Sequence, residues 1–264
     1  MFSNVTRFFN EFTSDPAGAL ISLAYLAVCI VFSLVIHECA HGYVALKCGD
    51  PTAKMLGRLT LNPLKHLDPF GTICMIFLRV GWAKPVPINP RNFRNYRRDY
   101  ILVSLAGIAV NLAVFILSLL ISALVAKAMY MQDFVEYVST HGGKGMFLNV
   151  YKSSVAASAY SGIGTFSDVM KTPALLYVER LFLMLAQMNL GLAVFNLIPV
   201  PPLDGYRFMD QFVFKGRLSL NPQTMQIIHI VFLVVCISGV LSGLLTTVNG
   251  AIFGFFSNVM GAII

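Results

Sequence analysis

The apolar positions of this chain fall into long runs, without the polar face that a soluble helix or strand keeps. The first run is about Ala19 to Leu46. At about 1.5 Å per residue it crosses a hydrocarbon layer of about 30 Å with some tilt. Tyr100 to Met129 makes a second span, Leu175 to Ile198 a third and Ile227 to about Val248 a fourth. Ala251 to Ile264 is apolar but short, and is expected partly in the membrane or packed on the bundle. Breakers bound these runs. Asp15-Pro16 opens the first helix and Gly49-Asp50-Pro51 closes it. Pro199-Val200-Pro201-Pro202 ends the third, because proline cannot continue a helix ladder. No cleavable signal peptide is expected, since the apolar stretch starts late and runs too long.

Residues 47–99 break the pattern. Turn signals crowd there: Gly57, Asn62-Pro63, Asp68-Pro69, Gly81, Pro85, Pro87 and Asn89-Pro90. The apolar run Phe70 to Val80 is too short to span as a helix and contains Gly71 and Arg79. The region reads as short strands and loops dipping into the membrane against the bundle, which requires burial in protein or a wet cavity. Residues 130–173 form a mixed segment with Val155 to Tyr160 and Phe166 to Met170 as short interfacial helices.

Composition agrees with a membrane protein. The 264 residues are 57% hydrophobic and 12% charged, with a mean hydropathy of +0.74. Soluble domains carry about twice that charged fraction. The expected class is therefore an all-α polytopic membrane protein of about four to six spans, with a small membrane-embedded β and loop region between the first two. It reads as one domain over 1–264, with a core at about 19–210 and membrane segments at 226–264. The net charge of +7 does not indicate nucleic acid, because the basic residues crowd into loops beside spans. Ten of the nineteen Lys and Arg fall in 47–99, and Arg207, Lys215 and Arg217 follow the third span. The positive-inside rule puts loops 47–99 and 199–225 in the cytoplasm. The cluster Arg91, Arg94, Arg97 and Arg98 fits topology setting, with contact to anionic head groups as the alternative. The five cysteines show no pairing pattern and are expected as free thiols.

One polar break in the first span carries chemistry: His37-Glu38-Cys39-Ala40-His41. Residues four apart share a helix face, so both imidazoles can reach one metal ion. Glu38 then stands where a base is needed beside a metal-bound water. A polar face packed on other helices would give the same five residues. Inside a hydrophobic span that explanation is weak, because an ionisable carboxylate there costs roughly 2.5–3.5 kcal/mol on insertion scales. Cys39 faces away from the His37–His41 line and reads as helix packing.

Catalytic zinc takes three protein ligands and leaves a position for water. His66, Asp68, His141, Asp204, Asp210 and His229 are the candidates for the third. His141 falls on the opposite side of the membrane. Asp204 fits best, since it follows the broken end of span three at the depth of His41. An Asp-Gly after prolines is also a common plain turn.

The motif set resembles the site-2 protease family of intramembrane zinc metalloproteases, in its short prokaryotic branch without a PDZ domain. The residues that carry the resemblance begin with His37 to His41, then Gly49-Asp50-Pro51-Thr52-Ala53-Lys54 and the stretch Gly57 to Pro69. Gly81-Trp82-Ala83-Lys84-Pro85-Val86-Pro87, Ser104-Leu105-Ala106-Gly107 and the stretch Phe195 to Gly205 complete them. The resemblance implies one catalytic zinc held by His37, His41 and Asp204, with Glu38 as the base. It implies a place near the metal for Asn196, donating to the oxyanion or holding substrate. It also implies that the Gly81 to Pro87 stretch pairs with extended substrate. His66 and Asp68 match a motif of the short branch, and for them a structural role is expected over ligation. Ile108 stands where the family often has proline, with Asn111 following, which touches local helix geometry.

The expected partners are a transmembrane protein substrate and the lipid bilayer, with room for a regulatory membrane partner. The expected location is a bacterial inner or plasma membrane. Two other functions fit the bare motif: a metal transporter or sensor, and an inactive scaffold. A transporter predicts ionisable residues at the midplane of several spans or inverted repeats, and spans two and four are nearly free of charge. A scaffold has no need of Glu38.

Overall fold

Pro16 opens the first helix, where a missing N–H costs nothing and the ring presets φ. This helix, α1, runs Pro16–Lys47, about 48 Å long. The computed structural model describes residues 13, 16–69, 71, 83–141, 169–218 and 220–261. Helix α2 is the short Thr52–Met55, and α3 runs Tyr96–Met129. Helix α4 is Gln132–His141 and α5 is Leu175–Asn196. Helix α6, Asp204–Phe212, is followed by α7, Pro222–Ser238, and α8, Val240–Gly261. Among the described residues α1, α3, α5 and α8 are long and apolar enough to cross a membrane. The protein is a mostly helical, polytopic membrane protein.

The fourth span differs from the expected Ile227 to Val248. The apolar run is continuous there, but the helix stops at Gly239, whose φ of +81° is a left-handed cap that residues with a Cβ avoid. Ser242 Oγ donates to the Gly239 carbonyl at 2.5 Å as the next helix begins. The span is therefore α8, which absorbs most of the expected short C-terminal segment, while α7 is a shorter apolar helix.

Between α1 and α3 the described backbone is held by side chains. Its only strand pairing is an isolated bridge between Leu67 and Ala83. Prolines at 51, 63, 85, 87 and 90 remove the N–H groups that a ladder needs. Short 3-10 turns at Pro63–Lys65 and Pro90–Asn92 take their place, capped by Asn62 and Asn89. Asp50 is fully buried and binds the region together. It accepts from the Thr52 amide at 3.1 Å, the Thr52 hydroxyl, the Asn89 amide at 2.7 Å and Asn92 Nδ2 at 2.8 Å. Arg58 donates to the carbonyls of Lys84 and Pro85 at 2.9 and 3.2 Å, and the Lys84 amide donates to the His66 carbonyl at 2.8 Å. The extended segment 83–89 is thereby clamped along its length. The expected apolar dip at 70–80 falls, apart from Gly71, outside the described residues, as do 81–82 and 142–168.

The described residues form two compact units. One joins Met1–Leu112 with Gly191–Thr246. In it, Arg97 on α3 donates to the carbonyls of Gln211 and Phe212, at 2.9 and 3.1 Å, capping the end of α6. The other joins Ala113–Leu190 with Thr247–Ile264. Its core gathers Ala126, Met129, Tyr130, Phe134, Val169 and Met170, and Tyr130 and Met170 form a bridge. The segment Phe166 to Met170 thus ends in a bridge, and its first three residues lie outside the description.

Candidate active site

The site is built within the first unit, on three helices. On α1, His37 and His41 stand one turn apart, with rings edge to face at a centroid distance of 4.6 Å. Their Nε2 atoms are 3.0 Å apart. Asp204, the first residue of α6, brings Oδ2 to 3.2 Å from His37 Nε2 and 3.1 Å from His41 Nε2. A carboxylate is well placed at a helix N-terminus, where unpaired N–H groups leave a partial positive charge. Burial raises the pKa of Asp204, and the close contacts with His37 and His41 lower it by more, leaving it well below the ordinary carboxylate range. All three residues are buried.

Helix α3 backs this group. The Val103 carbonyl oxygen lies 2.7 Å from His41 Nδ1, and Asn111 Nδ2 lies 3.1 Å from His37 Nδ1. Between them is Gly107, where a Cβ would fall 2.4 to 2.6 Å from His37 and His41 ring atoms. Glycine at 107 is therefore a condition of the site.

Glu38 is half-buried, and its Oε2 accepts from the Val86 amide at 2.7 Å. Both residues line a cavity of about 670 Å³ that also holds His37, His41 and Asp204. Its walls are mainly apolar, among them Leu34, Leu192, Phe195, Phe232 and Leu233. Asn196 is on the wall too, with Nδ2 donating to the Leu192 carbonyl at 2.9 Å. Arg207 reaches only to 4.0 Å from Asp204 Oδ1 and is half-exposed, a contact of little energetic weight.

The other candidate ligands stand apart. His66 is buried, donates Nε2–H to the Thr60 carbonyl at 2.8 Å and lies 3.9 Å from Cys39 Sγ. Cys39 itself donates to the Thr60 carbonyl at 3.1 Å, so it ties the loop after α2 to the motif turn. Asp68 accepts from the Gly71 amide at 2.8 Å. Asp210 accepts from the Leu218 amide and from Gln211 Nε2 at 3.1 and 3.0 Å, closing the turn after α6. His229 is exposed and lines the cavity wall. The His141 side chain lies outside the described residues. Among the described residues His37, His41 and Asp204 are the one group of three His, Cys, Asp or Glu able to hold a metal ion.

Sequence reasoning missed Val103, Gly107, Asn111 and the Val86 amide as parts of this site. A signal existed for one of them: an amide side chain such as Asn111 in the middle of an apolar span needs a partner. The backbone donor and acceptor leave no trace in residue type.

Residues 25–239 match the model of peptidase family M50. The chain is 35% identical to "Putative zinc metalloprotease YwhC" of Bacillus subtilis over 216 residues, covering 82% of this chain and 81% of that protein. The chain belongs to peptidase family M50. It is a metalloprotease of the site-2 protease type, and its apolar helices make it an intramembrane one. "Putative zinc metalloprotease Rip2" of Mycobacterium tuberculosis (strain H37Rv) is 26% identical over 250 residues, 88% of this chain and 73% of that protein. The Mycolicibacterium smegmatis protein of the same name is 26% identical over 219 residues, 79% of this chain and 64% of that one. No solved structure matches.

The family implies zinc, and the spacing of the three side chains matches what that ion requires. Ligands at about 2.0–2.1 Å in a tetrahedral shell are about 3.3 Å apart. The three atoms here are 3.0, 3.1 and 3.2 Å apart, so the group fits. Two neutral imidazoles and one carboxylate are a donor set that catalytic zinc takes, with one position left open.

Proposed function

We propose that this enzyme hydrolyses peptide bonds within or next to transmembrane segments of membrane proteins, using one zinc ion held by His37, His41 and Asp204. The observation that carries the reading is the convergence of those three buried side chains, from α1 and α6, inside one cavity with Glu38. When bound, zinc supplies a Lewis acid that acidifies water and polarises a carbonyl. Glu38 takes a proton from the attacking water as its oxygen bonds to the carbonyl carbon, and then returns that proton to the amide nitrogen as the C–N bond breaks and the amine leaves. The Val86 N–H orients one carboxylate oxygen of Glu38 and leaves the other for that proton. Asn196 has a second amide hydrogen beyond the one given to Leu192, available to a carbonyl oxygen as charge develops on it.

The same reading covers location and substrate. Residues 1–264 act as one metalloprotease domain. Loops 47–99 and 199–225 face the cytoplasm of a bacterial cell, on the strength of their basic residues. Extended substrate lies along the Gly81 to Pro87 stretch, whose described residues, 83–87, are held extended by side-chain clamps. The test is cleavage of single-span membrane substrates by purified wild type and Glu38→Gln. Turnover by wild type alone is expected, and equal turnover by both would remove Glu38 as the base.

A further inference from the structure

Val103, Gly107 and Asn111 are four residues apart on α3, so they share one helix face. That face touches both imidazoles through the Val103 carbonyl and the Asn111 amide. For His41 the polarity of the contact is settled by chemistry. A carbonyl oxygen only accepts, so Nδ1 carries the hydrogen, and in the neutral ring that a metal centre requires Nε2 offers its lone pair to the point it shares with Asp204.

His37 offers Nε2 to the same point, and a neutral ring doing so carries its hydrogen on Nδ1. That hydrogen meets the Asn111 amide nitrogen, which is also a donor. Asn111 is fully buried and its Oδ1 has no hydrogen-bond partner. Turning the amide through half a turn exchanges nitrogen and oxygen without changing its shape. On one side the turn replaces an opposed pair of donors with a hydrogen bond. On the other it replaces one unpaired group with another. The exchange is favourable as a whole, because it makes one buried hydrogen bond and leaves the count of unpaired groups on the other side unchanged.

We propose that Asn111 is a positioning residue: its Oδ1 accepts the Nδ1–H of His37 and holds the Nε2 lone pair on the metal. This rests on the reading of His37, His41 and Asp204 as a zinc centre. Helix α3 would then orient both imidazoles, by a main-chain oxygen at His41 and a side-chain oxygen at His37. Loss of such an outer partner costs roughly tenfold to a hundredfold in metal affinity.

The test is zinc affinity by chelator competition on the full-length protein in detergent, for wild type, Asn111→Leu and Asn111→Asp. Cobalt substitution reports the ligand field in parallel through its visible absorption. An acceptor role predicts affinity weakened by roughly tenfold to a hundredfold in Asn111→Leu, with a changed cobalt band. It predicts Asn111→Asp within a few-fold of wild type, since a carboxylate also accepts from Nδ1–H. Affinity in Asn111→Asp as weak as in Asn111→Leu would overturn the proposal, because it marks a donor role or plain packing. Unchanged affinity in both would overturn it as well. If Asn111→Leu does not fold, Asn111→Asp decides alone, by keeping or losing zinc. A wild type that takes up no zinc overturns the metal centre itself, and this assignment with it.

Discussion

The Val86 amide donates to Glu38 Oε2 at 2.7 Å, and Val86 stands between two prolines that have no amide hydrogen to give. The proposed base is therefore held by the segment proposed to receive substrate. Hydrogen bonds to charged groups contribute about 1.5–3 kcal/mol, or roughly ten- to a hundredfold in rate. Val86→Pro is expected to lower kcat/KM by that factor, while Val86→Ala, which keeps the N–H, stays within a few-fold of wild type. Steady-state kinetics on a single-span substrate checks this, and equal rates for the proline variant would show that Glu38 needs no such support.

Gly107 faces two rings with no space for a methyl group. Gly107→Ala is expected to push α3 from α1 at a cost of about 1–3 kcal/mol and to separate His37 and His41 from Asp204. Zinc content should fall and activity with it, while helix content by circular dichroism is unchanged. Full zinc content in a folded Gly107→Ala protein would contradict the packing described.

Asn196 lines the cavity with Nδ2 donating to the Leu192 carbonyl at 2.9 Å. Asn196→Ala is expected to leave zinc content unchanged and to lower kcat by about 10²-fold, the scale of a lost oxyanion donor. A loss of zinc in this variant would make it part of metal binding instead.

Asp50 has no cationic partner among its hydrogen bonds and four donors pointing at it. Burial raises its pKa, but the bonds from Thr52, Asn92 and Asn89 lower it by more. The folded value is thus below the unfolded one, about 3.9. Its contribution to stability is complete above that pH and is lost as pH falls through the folded value. Asp50→Asn should remove this acid-side slope and lower stability by about 1–3 kcal/mol at neutral pH, since a donor replaces an acceptor of buried bonds. Thermal melts between pH 3 and 7 in detergent check it.

The parts of the molecule that depend on local rules were readable from sequence. The four-residue spacing of His37 and His41 is a property of any helix, and the apolar runs mark α1, α3 and α5 within a few residues. What depends on tertiary contact was not. Residue types alone left Asp204 among six candidates, because nothing local to Pro201-Pro202-Leu203-Asp204 records that α6 begins beside α1. The break at Gly239 was hidden by apolar residues on both sides, where hydropathy is blind to a single left-handed residue. Residues 47–99 read as short strands and loops from their turn signals and short apolar run, and among the described residues strand pairing there is limited to Leu67 and Ala83. Their hydrogen bonds instead run to Asp50, Arg58 and Glu38, side chains that supply what the prolines cannot.

The account stands on zinc shared by α1 and α6, and metal content measures that directly. Purified wild type and Glu38→Gln should each hold one zinc ion per chain, and folded Asp204→Leu should hold almost none. Zinc retained in full by Asp204→Leu would contradict the account, because the carboxylate 3.1 Å from His41 would then not be a ligand.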